Sequence, residues 1–159
     1  MNIDEIRSEL MSQHADLRRM IEDVRGALRV TDAQAFKASE GELRARVTEL
    51  ARALQEHNRR EEALLGEILP TIDAWGQVRR EIMDEQHAEH GQLIAALVSP
   101  DTSGGAAHGR DSSTIPLPPG DFLLATLARV LDHMEREEKA FLNEALLRDD
   151  GIVTDQFSG

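Results

Sequence analysis

Two short segments occur twice in this chain, in the same order and at nearly the same separation. Gln13-His14-Ala15-Asp16 is followed by His57-Asn58-Arg59-Arg60-Glu61-Glu62. Gln86-His87-Ala88-Glu89 is followed by His133-Met134-Glu135-Arg136-Glu137-Glu138. Four histidines and two glutamates therefore recur in register. A histidine and a glutamate four positions apart on a helix lie about 40° apart around the axis and about 6 Å along it, so both can aim at one point. Whatever fold the chain adopts must bring these groups together or leave each of them in water.

The apolar pattern around them is helical. From Ile3 to Leu28, the positions Ile3, Ile6, Leu10, Leu17, Ile21, Val24 and Leu28 make one stripe, and His14 fills its gap. Thr31-Asp32 reads as a cap, a short turn is expected from Ala33 to Ala38, and Ser39 and Gly41 punctuate the chain. A second helix is expected from about Glu40 to Leu69, ended by Pro70. Its stripe is Leu43, Val47, Leu50, Leu54, His57, Glu61, Leu64 and Ile68. A third helix, capped by Thr71 or Asp73, should reach about Val98 with Met83, His87, His90, Ile94 and Leu97 inward. Residues 99–120 read as a long loop containing His108, which is expected in solvent. Asp121 should cap a fourth helix from about Phe122 to Leu147. Leu123, Leu127, Val130, Met134, Phe141 and Ala145 mark its apolar side, with His133 and Glu137 on or beside it. The fold class expected is all-α: an up-down-up-down antiparallel four-helix bundle over residues 1–148, with a polar tail at 149–159.

Composition narrows the chemistry. There is no cysteine, which excludes thiolate metal sites, disulfides and thiol catalysis. With net charge −12 the chain lacks the positive footprint that nucleic acid or an anionic membrane would need. There is no tyrosine and one tryptophan, so tyrosinate ligands and a base-stacking platform are absent. No apolar run is long enough to span a membrane, and the N-terminal residues lack a secretion signal, so a cytoplasmic location is expected.

A lone histidine on a helix seam is ordinarily a hydrogen-bonded core residue, and a lone H-x-x-x-E is ordinarily a surface pair. Six such groups on inward stripes of four helices are different, because burying them together without cations is costly. Imidazole and carboxylate suit iron, zinc, copper or manganese, and a carboxylate can bridge two cations. The candidate metal ligands are His14, His57, Glu61, His87, His133 and Glu137. His90, which aligns with Leu17 in the other half, is either a further ligand or a supporting donor or pocket wall behind them. Glu62 and Glu138 lie about 100° further around their helices, which fits solvent or a supporting role better than ligation.

These residues make the chain similar to the hemerythrin-like, or HHE cation-binding, family. The resemblance covers about residues 5–147 and rests on His14, His57-x-x-x-Glu61, His87 and His133-x-x-x-Glu137, together with the Leu69-Pro70 segment. It implies two iron ions with an oxo or hydroxo bridge. His14 and His57 would hold one ion, His87 and His133, with or without His90, the other, and Glu61 and Glu137 would bridge. Respiratory hemerythrins carry H-x-x-x-H in the third helix and H-x-x-x-x-D in the fourth. This chain has His87-x-x-His90 and His133-x-x-x-Glu137, so it resembles the broader bacterial group. The function implied is binding of dioxygen or another small diatomic or peroxide ligand, for storage, delivery or sensing. The alternatives are an enzyme acting on hydrogen peroxide, nitric oxide or ferrous iron and, more weakly, an iron-dependent regulator. No catalytic residue outside the ligand set is apparent, and the oligomeric state is left open.

Overall fold

A computed structural model describes residues 2–29, 33–72, 74–98 and 117–143. Among these the chain forms four helices and no strand: α1 (Ile3–Leu28), α2 (Ala33–Ile72), α3 (Gly76–Val98) and α4 (Gly120–Ala140). Each packs against two others, α1 on α2 and α4, α3 on α2 and α4, which closes a ring of four. None of these helices is long and apolar enough to cross a membrane.

The start of α1 is fixed by a reciprocal cap. The Glu5 N–H donates to the Asn2 side chain at 2.8 Å, and the Asn2 N–H donates to the Glu5 carboxylate at 2.9 Å. The expected stripe is buried, with Ile6, Leu10, His14, Leu17, Ile21 and Val24 inside. In α3 the expected inward set of Met83, His87, His90, Ile94 and Leu97 is buried throughout.

Helix boundaries differ from the sequence reading at several points. α2 begins at Ala33, so residues 33–38 and 40–69 belong to one helix of 40 residues and Gly41 does not interrupt it. One glycine costs a helix interior only about 1 kcal/mol, less than the packing of the buried Leu43 and Val47 contributes. Nor does Pro70 end the helix, which runs on to Ile72. Proline has no N–H for the carbonyl four residues back, and that carbonyl, on Gly66, instead accepts from the Arg80 guanidinium at 2.6 Å. Thr71 is consequently inside α2 rather than capping α3, and its hydroxyl donates to the Ile68 carbonyl at 2.8 Å. Near its end the buried stripe of α2 moves by one residue, from Leu64 and Ile68 to Leu65 and Leu69, with the first pair half-buried beside them. A helix at 3.6 residues per turn drifts away from a strict 3.5-residue seam in this way.

α4 starts with Pro119 at the cap position, so Asp121 sits in the first turn, where its charge faces the positive helix end. It stops at Ala140, short of the expected Leu147. The chain there turns inward with Phe141 and Leu142 buried, and the Leu142 carbonyl accepts from Arg7 at 2.8 Å. Thr31, Asp32, Asp73, His108, Ala145, most of the 99–120 connection and the 149–159 tail lie outside the described residues.

The apolar core is divided. One cluster joins Leu17, Ile21 and Val24 of α1 to Leu43–Leu54 of α2, Ile94 and Leu97 of α3 and Leu123–Met134 of α4. The other joins Ile6 and Leu10, Leu65 and Leu69, Met83, and Phe141 and Leu142. Burying each Leu, Ile or Met contributes about 1.5–3 kcal/mol. Between the two clusters, in sequence on all four helices, fall the repeated histidines and glutamates, with His133 set one residue inside the first cluster beside Met134.

Candidate metal centre

All seven candidate ligands are buried. His14, Glu61 and Glu137 are fully enclosed, and even the most accessible, His87, is only 6% exposed. Helix periodicity explains this: each stands where its stripe would otherwise carry Leu or Ile. The four repeated histidines and two glutamates converge. His14 Nε2 lies 3.0 Å from His57 Nε2 and 3.6 Å from Glu137 Oε2. His133 Nε2 is 2.7 Å from Glu137 Oε1, and His87 Nε2 is 3.3 Å from the same oxygen. Glu61 Oε2 lies 3.4 Å from His57 Nε2 and 3.3 Å from His87 Nε2.

Two donor trios result, His14–His57–Glu137 and His87–His133–Glu137, each compact enough for one ion, and Glu137 belongs to both. Glu61 spans the same pair of groups from the other glutamate position. Donor separations of 2.7–3.6 Å match the spacing of neighbouring ligands around an ion bonded at about 2.0–2.2 Å. His90 is inside but joins neither trio. Its ring packs on that of His133 with centroids 4.1 Å apart.

The outer nitrogens are held too. His14 Nδ1 bonds Glu138 at 2.8 Å, His87 Nδ1 bonds Glu62 at 2.9 Å, and His90 Nδ1 bonds Asn58 Oδ1 at 3.1 Å. His57 Nδ1 bonds Gln13 Oε1 at 3.0 Å, and the Gln13 amide in turn donates to Glu9 at 3.2 Å, which fixes the amide's orientation. Each oxygen accepts, so each Nδ1 carries a hydrogen and each Nε2 is turned inward toward the centre. The support is exchanged between the halves: Glu62 from the first holds His87 of the second, and Glu138 from the second holds His14 of the first. Glu62 and Glu138 thus support the site without entering the trios. Gln13 and Asn58, which the sequence reading passed over, do the same. They were visible only as the neighbours of repeated histidines.

Electrostatics expose what the assembly needs. His90 Nε2, His133 Nε2, Glu61 Oε1 and both Glu137 oxygens are buried without a hydrogen-bond partner. Burial, with His133 beside it, pushes His90 down to about 3, so it stays neutral. Burial and the neighbouring His57 also lower His14. Burial would lower His87 too, but the nearby carboxylates of Glu137, Glu61 and Glu62 outweigh it and raise it to about 10. Glu137 is held well below the usual carboxylate range, because His133 and His87 outweigh the cost of burying its charge. Without metal, a proton on His87 stands where a cation would satisfy both glutamates. Two facing lone pairs, at least three unpartnered carboxylate oxygens and a proton in place of an ion are the features of a donor set that fits cations.

A family model described as the hemerythrin HHE cation binding domain matches residues 5–145. No curated protein and no solved structure matches the chain. The match covers most of the chain and includes every residue of both trios, so the chain belongs to the hemerythrin HHE cation-binding family.

Proposed function

We propose that this member of the hemerythrin HHE family is a non-haem di-iron protein that binds dioxygen or another small ligand for storage, delivery or sensing. The single observation that carries the reading is the sharing of Glu137 by two histidine trios. One carboxylate with a histidine pair on either side suits two ions and has no evident use with one. In this reading His14 and His57 hold one ion, and His87 and His133 hold the other. Glu61 and Glu137 lie between them, and His90 adds a ligand on the His87 side or stands behind His133. When bound, the iron pair supplies a redox centre open to a small exogenous ligand.

The chain's own residues do the rest. Glu138, Gln13, Glu62 and Asn58 hold Nδ1 hydrogens so that the Nε2 lone pairs stay aimed. The two apolar clusters above and below keep bulk water out. The order in which core residues enter those clusters supports an up-down-up-down antiparallel arrangement. Residue numbers rise from the Leu10 cluster to the Leu54 cluster along α1 and α3 and fall along α2 and α4. The test is metal content with an optical spectrum, on protein purified without added metal and then reduced and exposed to air. The expected result is about two irons per chain and a charge-transfer band that disappears when oxygen is removed. Zinc in place of iron, or immediate irreversible oxidation with no such band, would overturn it.

A further inference from the structure

A cleft of about 380 Å³ opens between α1 and α2, and His57 lies on its floor. Its mouth carries Glu9, Asp16, Arg52, Glu56 and Arg60, and its inner wall includes Leu17, Met20 and Ala53. Each carboxylate there already has a cation. Arg60 grips Glu9 through two bonds of 2.6 and 3.1 Å, Arg59 holds Glu56 at 2.8 Å, and Arg19 pairs with Asp16. Among the described residues Arg52 has no such partner. The chain is strongly acidic, yet among the described residues that line this mouth the uncompensated charge is positive. Screening limits the reach of the remaining acids to about 10 Å at ordinary salt, so a small ion at the mouth responds chiefly to Arg52.

At the inner end Gln13 closes the path. Its amide bridges His57 Nδ1 and Glu9, and the Glu9–Arg60 clamp holds it there. Beyond that ring, His57 Nε2 faces His14 and Glu61. The inner wall includes the apolar Leu17, Met20 and Ala53, and rotation of the Gln13 side chain would open the way for a species of two or three atoms.

We propose that this cleft is the entrance by which small inorganic anions reach the His14–His57 side of the centre, with Arg52 as the attracting charge and Gln13 as the inner closure. The proposal rests on the metal reading and adds a route and two residues outside the ligand set. Arg52 is exposed on α2 and makes no contact with the trios, so Arg52→Glu should fold and load iron like the wild type.

The test is the association rate of azide with iron-loaded protein, followed optically, with neutral nitric oxide as the second probe. Arg52→Glu should slow azide by about tenfold at low salt and leave nitric oxide unchanged. Ala53→Phe should slow both probes. In metal-free protein, Gln13→Ala should speed solvent exchange of the His57 Nδ1 proton, read by NMR. An iron-loaded Arg52→Glu protein with an unaltered azide rate would overturn the proposal and leave the metal reading standing. A wild-type chain that takes up no iron would overturn both. Unchanged His57 proton exchange in Gln13→Ala would remove Gln13 as the closure.

Discussion

At the scale of single residues, the centre is defined by protons as much as by ligands. His87 is raised to about 10 by Glu137, Glu61 and Glu62 against the cost of burial. A histidine ordinarily titrates near 6.5, so the stabilisation from this imidazolium is fully present below about pH 6.5 and lost as pH rises through about 10. A metal ion must displace the Nε2 proton. Metal uptake near pH 7.5 should therefore release about one proton per chain from His87, and affinity should rise about tenfold per pH unit until that group is neutral. Calorimetry in buffers of different ionisation enthalpy measures the release, and a pH-independent affinity would contradict it. Glu137 offers a second test. Glu137→Ala removes the carboxylate common to both trios and should abolish binding of both ions. Glu62→Gln, which keeps a hydrogen-bond acceptor behind His87, should weaken affinity without lowering the saturated stoichiometry. Elemental analysis of the loaded proteins separates the two.

At the scale of elements, the α2–α3 corner shows how a helix can run through a proline and still turn sharply. Arg80 replaces the hydrogen bond that Pro70 cannot make, and it reaches the Gly66 carbonyl because Gly66 has no side chain in the way. Gly76 begins α3 against the Leu69 carbonyl and Pro70, where any Cβ would collide with main chain. Backbone cannot yield as a flexible side chain can, so Gly76→Ala must shift α3 against α2. The expected cost is about 2 kcal/mol, a drop in Tm of about 5 °C, with iron stoichiometry kept if the shift stays at the corner. Gly41→Ala, where nothing lies near the new methyl, should instead raise Tm slightly.

At the scale of the whole molecule, a charged layer is held between two dry ones. The apolar clusters bind the four helices at both ends, and between them Glu137, Glu61 Oε1, His90 Nε2 and His133 Nε2 lack hydrogen-bond partners. The metal-free protein should therefore remain helical and lose stability. At ion concentrations about a thousand times Kd, each bound ion adds about 4 kcal/mol, so chelation should lower Tm by roughly 10 °C or more with little change in far-UV circular dichroism. Complete loss of helix on chelation would show that the apolar clusters cannot hold the bundle alone.

Much of this was legible in the sequence because the signals are periodic. The stripes of α1, α3 and α4 follow from apolar spacing, and the repeat by itself puts His14, His57, Glu61, His87, His133 and Glu137 on inward faces. Helix ends were less legible. Pro70 reads as a stop until Arg80, fourteen residues on in the chain, supplies the missing donor. Residues 141–143 read as helix because nothing local reveals that Arg7 takes the Leu142 carbonyl. The supporting shell was hidden for the same reason. That Glu62 faces His87, or that Gln13 links His57 to Glu9, depends on how helices are rotated and offset against each other. Sequence by itself determined that the repeated histidines and glutamates turn inward, since that is a property of one helix and its period. Tertiary structure alone decided that Glu137 is shared, that His90 stands beside rather than within a trio, and which nitrogens are held, since these are distances between helices.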